Sequence, residues 1–295
     1  MNARYLIVSA DDFGLCESVN SAIAELFREN AVTSAGILAP ARCARDACAW
    51  AAANSIPVGA HWTLHAEWAE EPWKPSAGEE GARTLTEGGY LMADARAVAK
   101  QAKAADVTRE LAAQYEFLRA NGCAPDHADS HGGTLYGTNG RLFFLNAFRV
   151  CRRYGLPFRF AKSPAFIARQ MNGALPAPLR AAHRAIVAAA GMMGVDLLDD
   201  FVTNPLPFEK LGGYEAMCAY YEAELKKSGP GVTEVFLHPA LPDPAMEART
   251  PQWQKRVWEY EYLGSGRLAR FAKTEGFSLT SFGNAPFPGQ KRGKA

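Results

Sequence analysis

The chain has 295 residues, 48% of them hydrophobic and 21% charged, which suits a soluble globular protein of one large or two ordinary domains. A formal net charge of +1 leaves no strong field to favour nucleic acid or acidic lipid as a partner. Six cysteines do not make a disulfide framework in a chain this long, no apolar stretch reaches membrane length, and the N-terminal apolar run lacks a cleavage pattern, so a cytoplasmic protein is the expectation.

The elements alternate from the start. Tyr5 to Val8 is a short apolar run, long enough for one buried strand, and it ends at Asp11-Asp12-Phe13-Gly14. Val19, Ala22, Ile23, Leu26 and Phe27 then share one helical face. A strand over Val32 to Leu38, a helix over Ala41 to Asn54 and a strand over Pro57 to Leu64 follow. From Glu67 to Asp106 periodicity fails among prolines and glycines, which reads as an inserted loop of the functional or mobile kind. Order resumes with a helix from Val107 that stops at Asn121-Gly122, and Pro125 to His131 is the next strand with its mouth. Leu142 to Tyr154 is helical and Gly155 to Phe160 a strand. Ala177 to Gly194 and Tyr214 to Lys227 are helices, Val232 to Leu237 is a strand running into His238-Pro239, and Arg267 to Phe282 gives a last helix and strand.

Alternating strands and helices over this length imply α/β architecture with a parallel sheet, either a barrel or a doubly wound sheet. Asp11, Asp12, His61, His131, Arg159 and His238 all fall in, at or just after strands. Convergence of all six favours a (β/α) TIM-like barrel with its active site at the C-terminal ends of the strands. One domain over 1–285, carrying the inserted loop 67–106, and a flexible tail over 286–295 are expected.

An oxygen ligand with two imidazoles is a common way to hold a catalytic divalent ion with positions left open, and Asp12, His61 and His131 fit it. Against this stands the ordinary fate of lone histidines, which is packing or surface; His183, mid-helix among alanines, is read that way. His65 follows His61 at i+4 and is a lesser candidate to line the site. His127 and Asp129 share one strand face, with His131 beyond them. Trp62, Trp68 and Trp73 lie in or beside the broken region and offer flat apolar faces, with core packing the alternative for each.

Leu6-Ile7-Val8-Ser9-Ala10-Asp11-Asp12-Phe13-Gly14, Val32-Thr33-Ser34, Val58-Gly59-Ala60-His61, Asp129-Ser130-His131 and Gly231 to Pro239 together resemble the YdjC-like (ChbG/HpnK) carbohydrate deacetylases, in order and over most of the chain. The resemblance implies a distorted (β/α) barrel that hydrolyses N-acetyl groups of sugars with one divalent metal ion, magnesium or zinc. It implies Asp12, His61 and His131 as metal ligands, Asp11 as catalytic base and His238 as proton donor. It implies Arg159 near the substrate, and Trp62 and Asp129 are the other expected substrate contacts. Two departures bear on the rim: Gly132-Gly133-Thr134 follows His131 where many members continue with alternating histidines, and Ala240 follows His-Pro where glycine is common.

The expected reaction is amide hydrolysis, with Asp11 taking a proton from water and His238 protonating the departing amine. The expected partner is an acetylated amino sugar or oligosaccharide, with no nucleic acid and no membrane span; a homodimer is compatible with the sequence. The rival readings are a non-catalytic carbohydrate- or metal-binding protein on the same barrel and a metal phosphoesterase. The second would need denser ligands for two ions and a glycine-rich phosphate cradle, and neither is evident.

Overall fold

The computed structural model describes residues 3–171 and 173–288. Strands β1 (Arg4–Phe13), β2 (Ser34–Ile37) and β3 (Val58–Trp62) are followed by a small antiparallel hairpin, β4 (Thr86–Glu87) and β5 (Tyr90–Leu91). Then come β6 (Ala128–Ser130), β7 (Phe158–Ala161), β8 (Leu197–Leu198), β9 (Asp200–Val202), β10 (Gly231–Leu237) and β11 (Phe277–Thr280). The helices are α1 (Glu17–Arg28), α2 (Ala44–Ala53), α3 (Gly78–Gly81), α4 (Ala95–Gln101), α5 (Ala104–Ala120), α6 (Phe144–Tyr154), α7 (Ala165–Gln170), α8 (Ala177–Met193), α9 (Tyr214–Lys226), α10 (Pro244–Arg249), α11 (Trp253–Gly264) and α12 (Arg267–Thr274). The fold is α/β with a mostly parallel central sheet. Among the described residues, no helix is long and apolar enough to cross a membrane.

The described chain forms two compact units. One comprises the chain up to Asp11, Ser21–Ala35 and the chain from Phe160. Here β1 pairs in parallel with β10 on one side and β11 on the other, and β10 pairs with β9. Residues 197–202 bond on both edges: Leu198 and Asp199 carbonyls accept from the Lys162 and Ser163 N–H groups, while the Asp199 N–H donates to Val232 O. The ladder thus continues from the end of β7 to β10. Helices α11 and α12 pack together, and α12 covers β11. Apolar β1 residues Leu6, Ile7 and Val8 are buried, as their uninterrupted run requires of a strand covered on both faces.

The other unit comprises Asp12–Asn20 and Gly36–Arg159. In it β6 pairs in parallel with β3 and β7, and α5 packs on β3 and α6. The stretch 67–106 carries α3, the hairpin and α4. Its short elements explain why no period survives in its sequence. Three buried polar residues of α5, at i, i+4 and i+8, anchor it and the exit of β3. Asp106 accepts from the Thr84 N–H and hydroxyl at 2.9 and 2.7 Å. Glu110 accepts from the Ser76 and Ala77 N–H groups, both at 2.9 Å. Gln114 clasps Thr63, accepting from its N–H and donating to its carbonyl.

All six cysteines are free. His183 is buried, its Nε2 lying 2.9 Å from Ala161 O beside Phe160 and Phe166, which is the packing role expected of it. Of the tail, Phe287 is buried and its ring stacks on Phe282; residues from 289 on lie outside the described ones.

Candidate metal centre and active site

Register builds a row of polar side chains across three parallel strands of one unit. His61 on β3 stands opposite Asp129 on β6. Ala128 stands opposite Phe158, so the next residues, Asp129 and Arg159, are neighbours as well. Residues in register on parallel strands point to the same face, and here they touch. His61 Nδ1 lies 2.6 Å from Asp129 Oδ1, and Arg159 Nη1 lies 2.7 Å from Asp129 Oδ2. All three are buried. Burial opposes ionisation of Asp129, but the charges of Arg159 and His61 overcome it and hold the carboxyl well below the usual range.

Three ligand-type atoms meet in front of this row. Asp12 Oδ1 lies 3.3 Å from His61 Nε2 and 3.1 Å from His131 Nδ1, and the two nitrogens are 3.3 Å apart. Asp12, one residue before the end of β1, has a positive φ of 68°, a left-handed conformation that aspartate tolerates better than most residues. That turn breaks the strand alternation and swings the carboxylate toward the histidines. His131 opens a tight turn in which Gly132 also has a positive φ, of 55°. A Cβ at Gly132 would sit 3.0 Å from His65 Cε1, so glycine rather than a further histidine follows the ligand.

The ring nitrogens turned away from the centre are held by carboxylates. Asp129 takes His61 Nδ1, and Glu67 Oε2 lies 2.6 Å from His131 Nε2. Burial alone would lower the His131 pKa, yet the Glu67 and Asp12 carboxylates raise it to about 9. His65 stacks on His131 with centroids 5.4 Å apart, and Trp73 lies 6.2 Å away. Burial, and then the charge of His131, lower His65 to about 4, so it is neutral at pH 7.

Ligand atoms about 2.1 Å from an ion stand about 3.0 Å apart in octahedral and about 3.4 Å apart in tetrahedral geometry. The spacings of 3.1 and 3.3 Å fall in that interval. A nitrogen, a nitrogen and a carboxylate oxygen turned toward one another, with the far nitrogens engaged by carboxylates, fit a divalent ion.

Asp11 and His238 lie in the first unit. Ala10 pairs with Leu237, so Asp11 on β1 and His238, just past the end of β10, are the residues that follow the last pair. The His238 N–H donates to Glu259 Oε2 at 2.7 Å, and its Nδ1 is 4.0 Å from the same oxygen. Glu259 is buried and also accepts from the Tyr221 hydroxyl at 2.6 Å.

The three expected substrate contacts lie deeper than the sequence suggested. Asp129 and Arg159 are buried behind His61, bonded in the row. Trp62 is fully buried and packs 6.2 Å from Phe158. As the residue after His61 on β3 it takes the opposite strand face, the core packing that was its alternative reading. Glu67 and Glu259 were not anticipated. The His65-Ala66-Glu67 sequence holds the signal for the first, a carboxylate two residues past a histidine and shortly after the end of β3; for Glu259 the sequence offers none.

An α/β protein of mostly parallel strands, with a histidine–carboxylate centre at strand ends, is the class this geometry defines. The chain belongs to the YdjC-like family: the family model described as YdjC-like protein matches residues 5–274. It is 27% identical over 281 residues to a carbohydrate deacetylase of Geobacillus stearothermophilus, across 95% of this chain and 97% of that one. It is 36% identical over 135 residues to a chitooligosaccharide deacetylase of Proteus mirabilis (strain HI4320), across 44% of this chain and 49% of that one. A solved structure from Enterococcus faecalis V583 has a TM-score of 0.75 at 22% identity, covering 95% of this chain and 98% of that one, so the fold is shared.

Proposed function

We propose that this chain removes N-acetyl groups from an amino-sugar-containing carbohydrate by amide hydrolysis, with one divalent ion, magnesium or zinc, held by Asp12, His61 and His131. The observation that carries the reading is the 3.1–3.3 Å meeting of Asp12 Oδ1, His61 Nε2 and His131 Nδ1. The carbohydrate deacetylases among its relatives support the substrate class.

When bound, such an ion would supply Lewis-acid polarisation of the acetyl carbonyl and acidify a water. Asp11, at the end of β1, takes the water's proton on a carboxylate oxygen. His238, directly after the end of β10, gives a proton to the departing amine, which leaves poorly as an anion. Glu259 holds the His238 backbone N–H and so fixes where that imidazole starts. Asp129 orients His61 through Nδ1, with Arg159 keeping it charged.

The test is acetate release from N-acetylglucosamine oligomers beside phosphate release from sugar phosphates, each with and without chelator. Acetate release that EDTA abolishes and Mg2+ or Zn2+ restores is the expected result. Phosphate release alone would mark a phosphoesterase, and sugar binding with neither product a binding protein.

A further inference from the structure

We propose that Glu67 is a positioning residue that fixes the His131 ring for the ion, and that it couples the seating of residues 67–106 to how tightly the centre holds that ion. The inference rests on the metal reading above.

A neutral imidazole has one N–H and one lone pair, and the partner of one nitrogen decides which the other presents. Glu67 Oε2 lies 2.6 Å from His131 Nε2. An ionised carboxylate only accepts, so Nε2 keeps its hydrogen, and once an ion displaces the other proton the Nδ1 lone pair faces the point shared with Asp12 Oδ1 and His61 Nε2. Asp129 does the same for His61 through the opposite nitrogen. The two carboxylates therefore select opposite tautomers, and each turns a lone pair to the same point.

They differ in where they come from. Asp129 is fully buried in the strand row. The Glu67 side chain is 26% exposed and opens the inserted stretch. That stretch is pinned to α5 by the buried Asp106 and Glu110, while Gln114 holds Thr63 at the end of β3. Trp73, from the same stretch, packs near the His131 ring, and His65 covers one of its faces. A shift of the insert would carry Glu67 and Trp73 off His131 while leaving Asp129 and the sheet in place.

The experiment is competition between the purified protein and a zinc chelator for Zn2+, in wild type, Glu67→Gln and Glu67→Ala. It is run at about pH 9.5 so that protons compete little for His131, with melting temperatures of the zinc-free proteins measured in parallel. Glu67→Ala should hold Zn2+ about 10- to 100-fold more weakly, the usual scale for losing such a partner. Glu67→Gln, whose amide oxygen still accepts from Nε2–H without a charge, should fall between the two. In zinc-loaded wild type, 1H–15N spectra of the His131 ring should show the proton on Nε2. Zn2+ affinity within twofold of wild type in both variants overturns the proposal, as does a proton on Nδ1. So does a fall in melting temperature with Zn2+ affinity unchanged, which marks a merely structural contact. Failure of wild type to bind one equivalent of Zn2+ is a distinct result, and it overturns the metal reading itself.

Discussion

His61 Nδ1 stands 2.6 Å from Asp129 Oδ1, and strand register sets the two residues side by side on β3 and β6. The buried Arg159 guanidinium closes the row from β7. Asp129 thus has two tasks, orienting a ligand and balancing a buried cation. Asp129→Asn keeps an oxygen toward His61 and removes the charge. Its ion affinity should fall about 10- to 100-fold by titration calorimetry. Asp129→Ala also removes the buried carboxylate 2.7 Å from Arg159 and should lower stability in denaturant unfolding more than Asp129→Asn does. Wild-type affinity in Asp129→Asn would falsify the orienting role.

Gly59 lies two residues before His61, where the strand passes over the His127 ring. A Cβ there would come within 2.3 Å of His127 Cε1 and Nε2. His127 is fully buried, and its Nδ1 is 2.6 Å from Asp126 Oδ1, so the ring has little room to retreat. Gly59→Ala should therefore destabilise the protein by about 1–3 kcal/mol, the range for overpacking a dense interior. Clash is the stated cause, so in a His127→Ala background the same substitution should cost less than about 0.5 kcal/mol. Equal costs in both backgrounds would show that the glycine serves another purpose.

Most strand–helix alternation was legible because each buried strand is a short apolar run and each amphipathic helix carries a clear stripe. Segments β8 and β9 were not read, because their few residues follow closely on the alanine-rich α8 and are split by Asp199. Helix α11 was missed because aromatic and charged residues mix around it, and Glu259 was lost with it. Asp12, His61 and His131 could be singled out from strand-end placement and family resemblance. Glu67 could not, since it sits where periodicity stops and reaches His131 only through tertiary packing. For Trp62 the sequence left core packing as the alternative to a sugar-facing surface, and its burial follows from period-2 geometry, which sends it to the strand face opposite His61.

The ion-free protein should show an unusual pH response. His131 is raised to about 9 by Glu67 and Asp12 against the effect of burial, while an unfolded histidine titrates near 6.5. Between those values the folded state holds the extra proton, so its stabilisation is complete below about pH 6.5 and is lost as pH rises through about 9. His65 works the other way. Burial and the His131 charge lower it to about 4, so its contribution is complete above about pH 6.5 and is lost as pH falls toward 4. Denaturant unfolding in EDTA should thus give greatest stability near pH 6.5. Binding must displace the His131 proton, so ion affinity should rise about tenfold per pH unit up to about pH 9 and then level off. A flat affinity profile between pH 7 and pH 9 would contradict the geometry of the centre.

Asp11 and Asp12 are adjacent in sequence, Asp12 with a positive φ of 68°, and the proposed reading gives the two carboxylates different work. Asp11→Asn keeps size and shape but cannot take a proton. It should retain its ion by elemental analysis while kcat falls at least about a hundredfold, the scale for losing a positioned base. Asp12→Asn exchanges a charged ligand for a neutral oxygen, so affinity should weaken along with rate. His238→Ala should behave like Asp11→Asn, with ion kept and chemistry slowed. It should recover partly on activated esters, whose leaving group needs no proton, whereas Asp11→Asn should not. Ion loss in Asp11→Asn with retention in Asp12→Asn would mean that the two roles are exchanged. Full activity in all three variants would remove the deacetylase mechanism altogether.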